Sequence, residues 1–290
     1  MKLNPKCMTC QLRKQEAKIR HFDDEDRKKQ YMEKIRRRFD QPKEEDCVPS
    51  ISTELKKFYC SFWGVPMEDF SQINREYDQL MLDLEDSLEE KIRHSDDPLE
   101  TALLYARIGN YIDFAALSDV NSDTVLTLLE EDNKDPLDTQ EYLHFRKDLD
   151  SASRLVYLTD NCGEVVLDKL VIKLLKELYP ELDITVIVRG FPAINDATFE
   201  DARDIGLTEI TRVIGNGNDV GGTWLPHISA KAREMLETAD LIISKGQGNY
   251  ETLHDCGLNI YYLFLCKCEW FQYQFKARPL QGMFINERRI

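Results

Sequence analysis

Asp160 and Asn161 stand together in Thr159-Asp-Asn-Cys-Gly-Glu164, and Asp196 closes the segment Arg189-Gly-Phe-Pro-Ala-Ile-Asn-Asp196. Two carboxylates and an amide are hard oxygen donors of the kind that hold Mg²⁺ or Mn²⁺ and leave positions for water and phosphate. Asp and Asn ahead of a helix also serve as caps, but capping does not account for Asp196. Further along, Lys245-Gly-Gln-Gly-Asn249 is a glycine-rich turn in which backbone N–H groups can approach an anion at a helix start. A cation site beside an anion cradle meets the needs of phosphoryl transfer. The expected chemistry is therefore phosphate hydrolysis, with Lys245, Gly248 and Asn249 holding the phosphate. Glu164 and Asp168 follow Asp160 by one and two turns on one helical face, where either can orient water or remain a solvated charge.

Other constellations are weaker. Asn110 and Asp113 in Gly109-Asn-Tyr-Ile-Asp113 share a helical face within an apolar stretch, and that face is expected to close over the site. Cys7-Met-Thr-Cys10 is a common zinc half-site that Cys266 and Cys268 could complete; reduced structural thiols and a redox pair are the other readings. The five histidines (His21, His94, His144, His227, His254) show no metal spacing. There is no GxSxG nucleophile element, no GxxxxGK[ST] loop, and Gly215-Asn-Gly-Asn-Asp-Val-Gly-Gly222 is not a dinucleotide fingerprint.

The elements that must position these residues differ between the two halves. From Cys7 to about Lys147 the chain is charged, with apolar residues every three or four positions, which predicts five or six helices broken at Gln41-Pro42, Cys47–Ser50, Ser95–Pro98 and Asp132–Pro136. After Asp150, short apolar runs alternate with helical stretches, the pattern of β-α units. Five strands are expected, at Leu155–Leu158, Ile184–Val188, Glu209–Ile214, Leu241–Ile243 and Ile260–Leu265. Polar and glycine residues gather after the first four. In an open parallel sheet those loops share one edge, where ligands bind. The expected fold is α/β, a three-layer Rossmann-like and mainly parallel sheet over residues 151–290, with a helical amino-terminal domain over 1–150 whose residues 100–120 pack near the site.

Composition narrows the function class. The 290 residues carry 38 Lys+Arg against 53 Asp+Glu, a net charge of −15, so no global field draws the chain to nucleic acid or anionic lipid. An anionic substrate must then be neutralised locally. The start lacks an apolar leader-like stretch and no run approaches the ~18 apolar residues of a membrane span; a cytoplasmic location is expected. Eight cysteines in 290 residues are too few for a disulfide scaffold.

Taken in order, Cys7-Met-Thr-Cys10, Gly109-Asn-Tyr-Ile-Asp113, Asp160-Asn-Cys-Gly-Glu164, Ile194-Asn-Asp-Ala-Thr198, Lys245-Gly-Gln-Gly-Asn-Tyr-Glu251 and Leu265-Cys-Lys-Cys268 resemble the damage-control phosphatase family across essentially the whole chain. The CxxC points to its first subfamily. The resemblance implies a divalent metal (Mn, Mg, Co or Ni) held by Asp160, Asn161 and Asp196, and a small phosphorylated metabolite contacted by Gln247 to Glu251 and by Lys267. Phe264-Leu-Cys-Lys267 stands where the third subfamily has RTxK, so that subfamily's sugar-phosphate preference does not carry over. Water is the expected nucleophile; an aspartyl-phosphate on Asp160 would call for a DxD pattern where the chain has Thr159-Asp-Asn. Two competing functions are an S-adenosylmethionine-dependent carboxyl methyltransferase and a non-catalytic metal or redox sensor built on the CxxC.

Overall fold

The computed structural model describes residues 3–109, 126–127 and 136–290. Among these, six helices precede the first strand: α1 (Pro5–Lys18), α2 (Glu25–Phe39), α3 (Val48–Trp63), α4 (Ser71–Arg93), α5 (Pro98–Ile108) and α6 (Thr139–Ser151). They begin where the sequence supplies caps. Asn4 accepts from the Cys7 N–H, Asp24 from Arg27, and Asp97 from Leu99 and Glu100 with Pro98 as first helical residue, satisfying N–H groups that have no partner inside the helix.

The carboxyl half then alternates: β1 (Arg154–Leu158), α7 (Glu164–Leu178), β2 (Asp183–Val188), α8 (Phe199–Asp204), β3 (Arg212–Gly215), α9 (Ala230–Thr238), β4 (Leu241–Lys245), α10 (Gln247–Leu253), β5 (Ile260–Leu265), α11 (Glu269–Phe275) and β6 (Gly282–Asn286). The strand order is β3-β2-β1-β4-β5-β6, with β1 to β5 parallel. The order reverses between β1 and β4, and the loops after those two strands leave for opposite faces. A crevice opens at their carboxyl ends.

Alternation along the strands separates two cores. Leu155, Tyr157, Leu241, Ile243 and Leu263 face α7 together with α4, α5 and α6. Val156, Leu158, Ile242, Tyr262 and Phe264 face α9, α10 and α11. This is the expected three-layer α/β arrangement. The first core runs across residue 150, because Leu88, Leu103 and Phe145 belong to it as fully as the strands do. Helices α1 to α3 close over a separate cluster around Tyr31, Ile51 and Trp63.

The start of β3, the end of β4, which runs to Lys245 instead of Ile243, and the number of strands differ from the sequence reading. The run expected from Glu209 starts at Arg212, because Leu207–Glu209 forms a 3₁₀ turn that buries Leu207. A sixth strand, β6, pairs antiparallel with β5; its apolar core is only Met283-Phe-Ile285, too short to register as a strand by pattern alone.

Candidate active site

Asp160 and Asn161 leave the end of β1, and Asp196 ends the loop after β2. Backbone contacts draw these loops together: Asn161 and Asp196 form an isolated antiparallel bridge, Ala197 N–H donates to Asp160 O at 2.8 Å, and Cys162 N–H to Asn195 O at 2.8 Å. The Asn161 amide donates through Nδ2 to Asp160 Oδ2 and to Glu164 Oε2, both at 3.0 Å. Neither Asp160 nor Asn161 caps α7, whose N-cap is Gly163 with no side-chain cap bond.

Arg189, absent from the sequence-based candidates, is the cation among these acids. It is the first residue after β2 and only 1% exposed. Its Nε donates to Asp196 Oδ2, and its Nη2 lies 3.6 Å from Asp160 Oδ1. Its Nη1 reaches Asn249 Oδ1 at 3.5 Å. A basic residue directly after a strand and ahead of an acidic loop was the available signal. Burial lifts the Asp160 carboxyl well above the usual carboxylate range, Glu164 and Asp196 add to this, and Arg189 and Lys267 oppose it.

Lys245 departs from the expected role of phosphate ligand. It is wholly buried, and its ammonium donates to Ala106 O at 2.7 Å, Glu164 Oε1 at 2.6 Å and Asp168 Oδ1 at 2.8 Å. Three donors on three acceptors leave no proton for phosphate. Burial lowers the pKa of Lys245, but Asp168 and Glu164 outweigh it and raise the net value to about 12. Tyr157 OH also donates to Asp168 Oδ1, at 2.7 Å. Glu164 and Asp168, expected on one helical face, do share it, and that face points to Lys245. Asn249 is likewise buried: its Nδ2 donates to Thr159 O at 3.0 Å and Lys245 O at 2.7 Å, tying the ends of β1 and β4 together.

Gly246 makes the approach of these two loops feasible. Its φ is +79°, and a Cβ there would lie 1.9 Å from Asp160 Oδ2, so any side chain would expel the carboxylate. Gly248 sits on the loop after β3, where a Cβ would lie 2.4 Å from Gly221 O. The four loops thus meet in direct contact. Gln247 and Glu251, one turn apart on α10, are joined by a 2.8 Å bond from Gln247 Nε2 to Glu251 Oε1, and Gln247 Oε1 accepts from Lys267 N–H at 3.2 Å.

Gln247, Glu251 and Lys267 line a cleft of about 840 Å³ whose other wall is α1 with Cys7 and Cys10. Cys268 lines it too, but the four-cysteine zinc set does not assemble. Among the described residues, the trios of thiol, imidazole or carboxylate donors close enough to share an ion are Asp78–Cys162–Asp201 and His254–Asp255–Glu287. Cys266, the residue after β5, is wholly buried in the core that faces α10 and α11, while Cys10 is exposed. Asn110 and Asp113 lie outside the described residues. What precedes them does reach the site: Ala106 O receives Lys245, and Gly109 packs against Glu164, where a Cβ would lie 2.6 Å from its Cγ.

Asp78 of α4 supports the site from behind, accepting from Gly163 N–H at 2.5 Å. Burial is the main reason its carboxyl is raised to about 7; Asp201 and Asp204 add to that, and the Gly163 bond opposes it. The folded state therefore binds a proton that the unfolded state has released between about pH 4 and about pH 7. Stability conferred by this group is present at low pH and is lost as pH rises through about 7. Asp78→Asn, which keeps an acceptor for Gly163, should flatten the decline of ΔG of unfolding between about pH 4 and about pH 7 by up to ~1.4 kcal/mol per pH unit, with no effect on the slope well above neutrality. Urea melts from about pH 5 to about pH 9 check this. Glu251, raised to about 7 chiefly by burial, contributes with the same sign and leaves a residual slope.

Fold and site together define a Rossmann-like α/β protein with a buried carboxylate cluster at the switch point of its sheet. The model of the damage-control phosphatase ARMT1-like domain matches residues 3–278, and the chain belongs to that family. Membership places it among phosphatases, and so among hydrolases. A damage-control phosphatase of Archaeoglobus fulgidus is 31% identical over 281 residues, covering 93% of each chain. An uncharacterised protein of Methanocaldococcus jannaschii, MJ0202, is 30% identical over 287 residues, covering 93% of this chain and 90% of that one. The crystal structure of PH1575 from Pyrococcus horikoshii, a DUF89 family protein, matches with a TM-score of 0.79 at 26% identity, covering 99% of both chains.

Proposed function

We propose that the protein is a divalent-metal-dependent phosphatase that hydrolyses phosphate monoesters of small metabolites at the carboxyl edge of β1, β2 and β4. The observation that carries this reading is a charge imbalance. Asp160, Glu164, Asp168 and Asp196 are all buried, and among the described residues the buried cations paired with them are Arg189 and Lys245. In their ionised forms the four carboxylates exceed the two cations by two charges, an excess that pushes Asp160 toward its neutral form and that a divalent ion would balance.

The donor chemistry fits such an ion. Asp160, Asn161 and Asp196 would hold it; the Asn161 amide directs Nδ2 at Asp160 and Glu164, which leaves its oxygen as the donor. When bound, a Mg²⁺-class ion polarises phosphoryl oxygens and lowers the pKa of water. Arg189 keeps Asp196 and Asp160 in place, and Asn249 fixes the β1 and β4 ends around them. Lys267 and Gln247 would hold the ester from the cleft side, while Lys245 positions Glu164 and Asp168 instead of touching substrate. Both Asp160 carboxylate oxygens face donors, Asn161 Nδ2 and the Arg189 guanidinium, which favours attack by water over attack by Asp160.

The cytoplasm is the proposed location. All eight cysteines are free, as suits a reducing compartment, and among the described residues no helix is long and apolar enough to cross a membrane. We further read the partner as a small phosphorylated metabolite, with neither nucleic acid nor lipid. The test is p-nitrophenyl phosphate hydrolysis by metal-stripped protein re-supplied in turn with Mg²⁺, Mn²⁺, Co²⁺ and Ni²⁺. Turnover restored by at least one ion is expected; no turnover with any of them would overturn the reading and favour the methyltransferase.

A further inference from the structure

The cleft between α1 and α10 lies beside the carboxylate cluster. Gln247 lines it, and the preceding Gly246 abuts Asp160. Lys267 lines it as well, and its charge acts on Asp160. At about 840 Å³ the cleft has the size of a small-molecule site. Its far wall is α1, where Lys6, Cys10 and Arg13 and, beside them, Cys7, Gln11 and Lys14 each recur at i, i+4 and i+7 and all line it. Gln11 Nε2 donates to Ser52 Oγ at 2.8 Å, which holds that wall against α3.

The charge of the cleft runs against that of the protein. Lys6, Arg13, Lys14 and Lys267 line it together with Glu251 and Glu269; four cations less two carboxylates leave two positive charges in a chain of net charge −15. Lys6 of α1 lies over the rings of Trp270 at 5.2 Å and Tyr273 at 4.6 Å on α11, a cation–π arrangement that joins the two walls. Arg13 and Lys14 are exposed and have no ion pair among the described residues. In an acidic protein, a concave positive site focuses field lines and concentrates anions there.

We propose that this cleft receives the leaving-group half of the substrate, and that Arg13 and Lys14 select phosphomonoesters bearing a second anionic group, a carboxylate or another phosphate, remote from the scissile bond. The inference rests on the phosphatase reading for the site but concerns what that site prefers. The reacting phosphate meets Asp160 and its neighbours, the intervening atoms pass Gln247 and Lys267, and the remote anion meets α1.

The experiment compares a homologous series of alkyl monophosphates with their ω-carboxylated counterparts, by steady-state kinetics and by calorimetric titration, in wild type and in Arg13→Gln/Lys14→Gln. The series covers the unknown reach. Wild type should prefer the carboxylated esters of matching length by about tenfold or more in kcat/KM, mainly through KM, as a charged hydrogen bond gives. The preference should shrink with added salt and fall to near unity in the double variant. A wild type without preference at any length, or a preference that survives in the variant, overturns the proposal. If no ester is hydrolysed, it is the phosphatase reading that fails; the calorimetric preference, which needs no turnover, then decides the subsite by the same two criteria.

Discussion

Asp160→Asn should lower the metal-restored turnover of p-nitrophenyl phosphate by about 10³-fold, equivalent to ~4 kcal/mol of transition-state stabilisation, with no loss of thermal stability. The substitution is isosteric, so the close fit beneath Gly246 is preserved. It removes one charge from a buried cluster in which Glu164 and Asp196 already disfavour the ionised form. Folding should therefore be unharmed or slightly helped. Loss of turnover with an unchanged or higher Tm separates a site residue from a scaffold residue. Turnover within tenfold of wild type would remove Asp160 from the site and strengthen the sensor reading, in which Cys7→Ser and Cys10→Ser should be the damaging changes.

Lys245→Met is expected to show the opposite pattern, a stability defect first. The ammonium is the shared partner of Glu164 and Asp168, all three with no exposed side-chain area. Asp168 is raised to about 6, by burial first, even with Lys245 present, and its Oδ2 has no hydrogen-bond partner among the described residues. Removing the cation leaves buried charge uncompensated, at about 3–5 kcal/mol and a fall in Tm on the order of 10 °C.

The pH dependence of that defect has a definite sign. With Lys245 gone, the folded-state pKa of Asp168 rises further above its unfolded value, so the stabilising protonated form is lost as pH rises. The defect should be largest above about pH 7 and should narrow toward about pH 5, where the carboxyl takes up a proton. Asp168→Asn in the Lys245→Met background should recover part of it. A Tm unchanged at pH 8 would show that Lys245 is not the ion-pair centre that the structure indicates.

The contrast between these residues shows how far sequence patterns reach. The alternation of apolar runs and helical stretches after Asp150 is local, and it led to the α/β layers, to β1, β2, β4 and β5, and to the edge where four loops gather. The nearness of Asp160, Asn161 and Asp196 to one another was legible because the first two lie just past the end of β1 and Asp196 closes the loop after β2, where β-α-β connectivity leaves little freedom. Their mutual contact, the bridge between Asn161 and Asp196, follows from that connectivity.

What lay beyond the sequence depended on direction and on distant packing. Ending β4 at Ile243 turns Lys245 into a loop residue free to meet phosphate. The strand runs two residues further, and with a period of two Lys245 falls on the side of Leu241 and Ile243, toward α7, where Glu164 and Asp168 are buried. The one signal for Arg189, a basic residue after a strand and ahead of an acidic loop, reads equally well as a solvated charge; only the buried carboxylates around it decide otherwise. The cysteines show the same limit, because a CxxC and a CxC can be matched on paper while Cys266 is sealed in the core behind Cys268. Residue types and spacing determined the layers and the acidic edge of this protein, whose logic is local. Only the tertiary structure decided which charges pair inside and which face the cleft, because pairing depends on side-chain direction and on elements far apart in the chain.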